Sequence, residues 1–141
     1  MRCKPIKIYY WNANGISNKM SPLIAFLSTH DVDIMLIGET KLTDKDRLNI
    51  RHYVTHRQDR TGDTRAGGVA ALVRQTIPHE RVTFPATDNE NVAVRLPGNT
   101  YVVSAYNKPK HRIFERDLDG ILDVGGGVLL IGDLNVRHGD W

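Results

Sequence analysis

Short apolar runs separated by polar turns predict a strand, a helix and a second strand in the first forty residues. Residues 6–11 alternate apolar and polar positions, which is typical of a half-buried strand. Ser21 before Pro22 predicts a helix start, and apolar residues at helical spacing extend this helix to near His30. The apolar run at residues 34–37 predicts the second strand. This order favours an α/β fold.

The rest of the chain predicts consecutive strands and one more helix. Two glycines precede an apolar run at residues 69–73, and residues 91–96 and 100–106 predict two strands joined by a turn. Residues 110–123 carry an apolar stripe at helical spacing, which a glycine triplet ends before a last strand at 128–131. We expect one compact domain of the α/β or α+β class, without repeats or a linker.

The composition is that of an ordinary soluble domain. The chain has 141 residues, of which 40% are hydrophobic and 25% charged. The single cysteine, Cys3, excludes an internal disulfide and a cysteine-based zinc cluster. No apolar run approaches the roughly 18 residues of a membrane span, and no signal-peptide core follows Met1. We therefore expect a soluble intracellular protein in which oxygen atoms hold any metal.

Basic residues are concentrated between Lys41 and Arg65. This segment has seven basic and four acidic residues, whereas the rest of the chain is balanced and the net charge is +3. With histidine and tyrosine interleaved, it could contact a phosphate backbone. The arginines assigned to DNA binding are Arg51, Arg57, Arg60 and Arg65. A solvated surface segment explains the same composition equally well.

Three predicted strands end in polar side chains. The first runs into Asn12, the second into Glu39, and the last into Asp133 and Asn135. A glycine precedes each of the two carboxylates, where a small residue lets a substrate or another backbone come close. Ligands of α/β sheets tend to bind at the carboxyl ends of strands, so we expect these side chains to converge on one site.

These side chains fit metal-assisted attack of water on a phosphate. Glu39 is a hard oxygen ligand suited to Mg²⁺, which takes only one or two protein carboxylates, and Asn12 would assist it. Asp133 could orient or deprotonate a water, and Asn135 could donate a hydrogen bond to the charge developing on a phosphoryl oxygen. Taken singly, each residue fits a turn, a cap or a solvated strand end equally well.

Taken together, the polar strand ends resemble the ordered motifs of a known superfamily. The segments WNANGI (11–16), GET (38–40), AYNKP (105–109) and GDLN (132–135) resemble those of the endonuclease/exonuclease/phosphatase superfamily. The ending GDLNVRHGDW (132–141) resembles the apurinic-type endonuclease domain of non-long-terminal-repeat retrotransposons. The resemblance covers nearly the whole chain and implies a deoxyribonuclease-I-like α/β sandwich.

The resemblance also implies roles for single residues. Tyr106 matches the tyrosine near the scissile phosphate, and His138 matches a structural or DNA-facing position in the retrotransposon-type tail. The remaining matches are Asn12 for metal and active-site hydrogen bonds, Glu39 for the metal, Asp133 for the attacking water and Asn135 for the phosphate. Asn14 stands where some relatives have an aspartate and receives only a secondary role. The implied cofactor is Mg²⁺, with Mn²⁺ as a substitute.

Members of this family continue beyond the matched part, with a further aspartate and a Ser-Asp-His motif. We therefore expect residues 1–141 to be the N-terminal half to two-thirds of a domain whose C-terminal part is missing. We expect a single sheet whose apolar face is left uncovered, so that the missing part or a second copy of the chain would cover it.

The resemblance leaves three hypotheses about function. The first is a Mg²⁺-dependent endonuclease that nicks target DNA in the nucleus for retrotransposition. The second is an inactive, degenerate fragment that at most binds DNA weakly. The third is a phosphomonoesterase or lipid phosphodiesterase of the same fold.

Overall fold

Two four-stranded sheets form the framework. The computed structural model describes residues 4–62, 65–84, 89–108 and 115–135. In the order β1-β2-β4-β3, the first sheet contains β1 (Ile8–Asn12), β2 (Ile34–Gly38), β3 (Tyr53–Gln58) and β4 (Val69–Arg74). In the order β5-β6-β7-β8, the second contains β5 (Glu80–Val82), β6 (Glu90–Leu96), β7 (Thr100–Tyr106) and β8 (Gly127–Asp133).

Each sheet contains one parallel pair of strands, and a helix joins the two strands of each pair. Helix α1 (Met20–Thr29) connects β1 to the parallel strand β2, and helix α2 (Glu115–Leu122) lies between β7 and the parallel strand β8. The other neighbouring strands are antiparallel. Parallel strands need a long crossover connection, which explains the place of both helices.

The core has three layers, which follow from the alternation of side chains along the strands. In β2, Ile34 and Leu36 face the second sheet and pack in a cluster with Val94 and Val102. The intervening Met35 and Ile37 face α1 instead. Ile121 of α2 packs on the outer face of the second sheet. The predicted α/β sandwich with helices outside is therefore confirmed.

The expectation of a single uncovered sheet was wrong for the described residues. The chain supplies both sheets, and their inner faces bury each other in one shared cluster. That expectation assumed that the part of the family domain beyond residue 141 supplies the second sheet, whereas the predicted strands already belong to both sheets. The sequence reading also missed β3 and β5, the edge strands furthest from the parallel pairs. β3 carries polar and charged side chains and is only half buried, so its hydrophobic pattern is weak.

The helices also differ from the prediction at their ends. α1 begins at Met20, and its N-cap is Lys19, which makes no capping bond with its side chain, so the predicted start at Ser21 was wrong. Pro22 is tolerated there because the first residues of a helix have no intrahelical partner for their N–H groups. In α2, Leu122 is 51% exposed rather than part of the apolar stripe. The predicted start of this helix at residues 110–114 lies outside the described residues.

Among the described helices, none is long and apolar enough to cross a membrane.

Candidate active site

The polar strand ends meet at one edge of the sandwich. Asn12 pairs with Gly38 at the end of β1 and β2, and Tyr106 pairs with Asp133 at the end of β7 and β8. β8 also contacts β1 and β2 across the interface between the sheets. The carboxyl ends of both parallel pairs therefore lie together, which is the common location of ligand sites in α/β proteins.

Tyr106 and Glu39 join the two sheets at this edge. The side chain of Tyr106 is buried, and its hydroxyl lies near the Glu39 carboxylate and the Arg60 guanidinium. Burial raises the pKa of Tyr106 to about 12, and the nearby Glu39 carboxylate adds to this effect. The Tyr106 hydroxyl is therefore neutral at ordinary pH and can donate a hydrogen bond to Glu39.

Glu39 has a backbone conformation that is uncommon for glutamate. Its φ angle is +50°, in the left-handed region. Two loops hold it there, because the Glu39 carbonyl accepts a hydrogen bond from Gly15 N at 2.8 Å and Thr40 N donates to the Gly68 carbonyl at 3.2 Å. Such conformations persist where surrounding structure fixes them, and they cluster at functional sites.

Tyr10 is a site residue that the sequence analysis did not single out. Burial raises the pKa of its hydroxyl, and the charges of Asp133 and Glu39 raise it further. The hydroxyl lies beside the Asp133 backbone but makes no hydrogen bond of good geometry within the described residues. Tyr10 thus lies near both carboxylates. The signal in the sequence was its place two residues before Asn12 on the same face of β1.

Asp133 and Asn135 are held by a compact set of hydrogen bonds. Asn135 N donates to Asp133 Oδ1 at 3.1 Å, and Asn135 Nδ2 donates to the Asn107 carbonyl at 2.6 Å. Asn107 N in turn donates to the Asp133 carbonyl at 2.9 Å. Within the described residues, no hydrogen bond uses the second Nδ2–H of Asn135 or the second carboxylate oxygen of Asp133.

Asn12 and Asn14 occupy the loop after β1. Asn12 Oδ1 accepts a hydrogen bond from Asn14 N at 3.1 Å, which closes an Asx turn. Asn14 Oδ1 accepts a hydrogen bond from Lys41 Nζ at 2.6 Å. A cationic side chain therefore already contacts the amide oxygen of Asn14.

The structure separates the four arginines assigned to DNA binding. Arg60 lies at the site edge, beside Tyr106. Arg57 donates to the carbonyls of Thr43 and Asp46, and Arg65 forms an ion pair with the Asp46 carboxylate at 2.7 Å. Arg51 precedes β3, whose start pairs with the end of β4, so it lies at the opposite end of the first sheet. His138 lies outside the described residues.

The donors at the site edge fit a magnesium ion rather than a metal that requires several acidic or histidine ligands. Among the described residues, no group of three histidine, cysteine, aspartate or glutamate side chains could hold a metal. Asn12 ends β1 and Glu39 follows the neighbouring strand β2, so together they offer one carboxylate and one amide oxygen. Mg²⁺ commonly takes one or two protein carboxylates and keeps several waters, so this sparse set of oxygen donors suits it.

Sequence comparison assigns nearly the whole chain to one family. A model of the endonuclease/exonuclease/phosphatase family matches residues 9–141. The chain is 33% identical to the probable RNA-directed DNA polymerase from transposon BS of Drosophila melanogaster, across 97% of this chain and 16% of that protein. The chain thus spans only a small part of this relative.

Solved structures share the fold. The AP endonuclease from Archaeoglobus fulgidus superimposes with a TM-score of 0.64 at 19% identity, covering 94% of this chain and 58% of that one. The 3′ phosphatase NExo from Neisseria, bound to a product DNA hairpin, gives a TM-score of 0.62 at 18% identity, covering 96% and 60%. At these identities the likeness establishes the two-sheet fold alone.

Proposed function

Because this chain belongs to the endonuclease/exonuclease/phosphatase family, we propose that it is part of a nuclease domain that nicks DNA by hydrolysing a phosphodiester bond. The observation that carries the proposal is the approach of Tyr106 of the second sheet to Glu39 of the first. It brings the polar ends of both parallel pairs to one place, where a phosphate could meet all of them.

Each residue has a distinct role in this proposal. Asp133 accepts the proton of the attacking water, while the hydrogen bond from Asn135 N keeps its carboxylate oriented. Asn135 donates its remaining Nδ2–H to a phosphoryl oxygen, and the Asn107 carbonyl fixes the amide for this task. Tyr106 lies near the scissile phosphate and orients Glu39. Hydrolysis that leaves a 3′ hydroxyl requires no covalent intermediate with the protein.

Glu39 and Asn12 are the proposed holders of Mg²⁺, for which Mn²⁺ could substitute. The ion would supply positive charge to a phosphoryl oxygen and to the leaving oxygen. The backbone of Glu39 is constrained. The direction of its carboxylate therefore does not depend on the order of the side chain alone.

The relatives support the proposed substrate and setting. The transposon BS protein is named a probable RNA-directed DNA polymerase, and the Neisseria enzyme was solved with product DNA. These similarities support DNA as the partner and target-site nicking for retrotransposition as the purpose. We propose that the chain acts in the nucleus, where target DNA of this kind would be found.

A plasmid assay tests the proposal. We expect this chain to convert supercoiled plasmid to the nicked form with Mg²⁺, and EDTA to stop the reaction. Glu39→Gln should lower the rate by at least about 100-fold, because it removes the carboxylate charge while keeping the side-chain size. Glu80→Gln is the matched control, since Glu80 is an exposed acid of β5 that pairs with Arg95, away from the site edge.

Three results would contradict the proposal. Equal rates for Glu39→Gln and Glu80→Gln would remove Glu39 from the mechanism. Plasmid binding without any nicking would support the inactive DNA-binding fragment. Hydrolysis of a phosphomonoester or a phosphoinositide in place of plasmid would support the phosphatase alternative.

A further inference from the structure

Arg60 follows β3 at the site edge, and its charge is already paired. Its Nε donates to Glu90 Oε1 at 2.5 Å, and its Nη2 donates to Glu90 Oε2 at 3.3 Å. The side chains of Arg60 and Glu90 are only 20% and 13% exposed. This bidentate pair turns the guanidinium toward the protein, so Arg60 is poorly presented to a phosphate backbone.

The ion pair between Arg60 and Glu90 also bridges the two sheets. Glu90 is the first residue of β6, and its Oε2 accepts a hydrogen bond from Gly68 N, next to the start of β4, at 3.3 Å. Across the second sheet, Glu90 pairs in register with Tyr106. The pair therefore lies directly beside the tyrosine that lies near Glu39.

Arg60 approaches both parts of the Tyr106 side chain. The Arg60 Cζ atom lies 5.8 Å from the centroid of the Tyr106 ring, and its guanidinium lies near the Tyr106 hydroxyl. Since the same hydroxyl lies near Glu39, a row of neighbouring side chains runs from Glu90 through Arg60 and Tyr106 to Glu39.

Gly67 leaves the space that the Arg60 guanidinium occupies. A Cβ atom at Gly67 would overlap the Arg60 guanidinium, and the φ angle of +58° independently favours glycine there. The glycine pair before β4 therefore allows a close approach, and the approaching group at Gly67 is the Arg60 side chain.

We propose that Arg60 is a positioning residue, which holds the Tyr106 hydroxyl toward Glu39 and does not bind a DNA phosphate. Four observations carry this inference: the paired charge, the burial, the approach to both parts of the Tyr106 side chain and the glycine that makes room for the guanidinium. The inference deepens the proposed nuclease function, and the expected change in kcat rests on that function. The expected contact between Arg60 and Tyr106 does not depend on catalysis.

The structural test uses ¹⁹F NMR of the chain labelled with 3-fluorotyrosine, with the Tyr106 resonance assigned through Tyr106→Phe. Arg60→Gln should shift this resonance, because the cation over the ring is lost. Arg51→Gln removes the same charge at the opposite end of the first sheet and should leave the resonance in place. An unmoved resonance in Arg60→Gln, or an equal shift in both variants, overturns the inference whether or not the protein nicks DNA.

The kinetic test separates positioning from phosphate binding. Arg60→Gln should lower kcat for plasmid nicking by about 10- to 100-fold, which is the usual effect of removing a group that orients a site residue without contacting the substrate. The salt dependence of DNA binding should not change. A salt slope reduced by about one, with kcat unchanged, would assign Arg60 to a phosphate and overturn the inference.

A second variant guards against misfolding. Gly67→Ala displaces the guanidinium without changing any charge, and it should move the Tyr106 resonance and lower kcat in the same direction as Arg60→Gln. Circular dichroism spectra identify folded variants. A folded Gly67→Ala protein with wild-type resonance and kcat contradicts the inference, whereas no nicking by the wild type contradicts only the proposed function.

Discussion

The imidazole rings of His56 and His79 form a hydrogen bond with each other inside the protein. Their Nε2 atoms lie 2.8 Å apart, and His79 Nδ1 donates to the Ile77 carbonyl at 2.8 Å. In the neutral pair, His56 Nε2–H therefore donates to His79. Burial lowers the pKa of His56, and the neighbouring His79 and Arg81 lower it further. His56 belongs to the segment that the sequence suggested for phosphate contact, but its hydrogen bond is made within the protein.

The environment of His56 makes the stability of the fold depend on pH. The folded pKa of His56 lies below its ordinary value of 6.5, so the unfolded chain binds this proton more readily. The stability due to neutral His56 is present above about pH 6.5 and is lost as pH falls toward the folded pKa. His56→Phe should cost about 1 kcal/mol at pH 7.5, through the lost hydrogen bond, and should weaken this pH dependence.

Urea unfolding at pH 7.5 and pH 5.5 measures the effect. The wild type should lose more free energy of unfolding between the two pH values than His56→Phe does. The same loss in both proteins would show that His56 does not contribute to acid sensitivity.

Close approach between neighbouring strands shapes the site at the scale of elements. The sequence suggested that the glycine before each carboxylate makes room for a substrate or another backbone. A Cβ atom at Gly132 would overlap the Ala105 carbonyl of β7, so the close approach of another backbone is confirmed there, whereas one at Gly38 would overlap the Tyr10 hydroxyl of β1. Gly132 therefore allows the pairing of β8 with β7 just before Asp133, and Gly38 makes room for the Tyr10 side chain just before Glu39.

A double-mutant cycle tests this reading of Gly38. Gly38→Ala should destabilise the protein by about 1–3 kcal/mol, because the new methyl group displaces the Tyr10 ring. In a Tyr10→Phe background the same change should cost at least about 1 kcal/mol less, since the overlapping hydroxyl is gone. Thermal or urea unfolding of the four proteins gives the coupling. Equal costs in both backgrounds would contradict the contact.

At the scale of the whole molecule, the two sheets share one buried cluster. Val102 of β7 is fully buried in it, together with Leu36 of β2. Core residues from both sheets lose their packing if either sheet opens. We therefore expect the sheets to unfold as a unit, in contrast to the behaviour of a single sheet with an uncovered face.

A substitution in the second sheet, with unfolding observed in the first sheet, tests whether the two sheets unfold together. Val102→Ala should lower the free energy of unfolding by about 2 kcal/mol. Trp11 fluorescence, in a protein with Trp141→Phe, reports on the first sheet, and its transition should move as far as the circular dichroism transition. Val54→Ala is the control, because Val54 on β3 is exposed. A Trp11 transition that stays in place would show that the sheets unfold separately.

The sequence by itself determined the strands and helices with strong hydrophobic periods, and the order of the family motifs. β2, β4, β6, β7 and α1 were predicted to within a few residues, because burial of a whole strand or of one helix face leaves a clear local pattern. Asn12, Glu39, Asp133 and Asn135 could be picked out because polar residues end apolar strands. Their chemical roles remain predictions.

Only the tertiary structure decided which of these residues meet. Weakly patterned edge strands such as β3 join their sheets through backbone hydrogen bonds, so they leave little trace in the hydrophobic pattern. The division of the strands into two sheets depends on which strands pair, and the pattern along the chain does not contain it. The contacts of Tyr10, Arg60 and Glu90 with the site depend on residues distant in the chain. Such long-range contacts follow from the packing of the two sheets, and no local spacing encodes them.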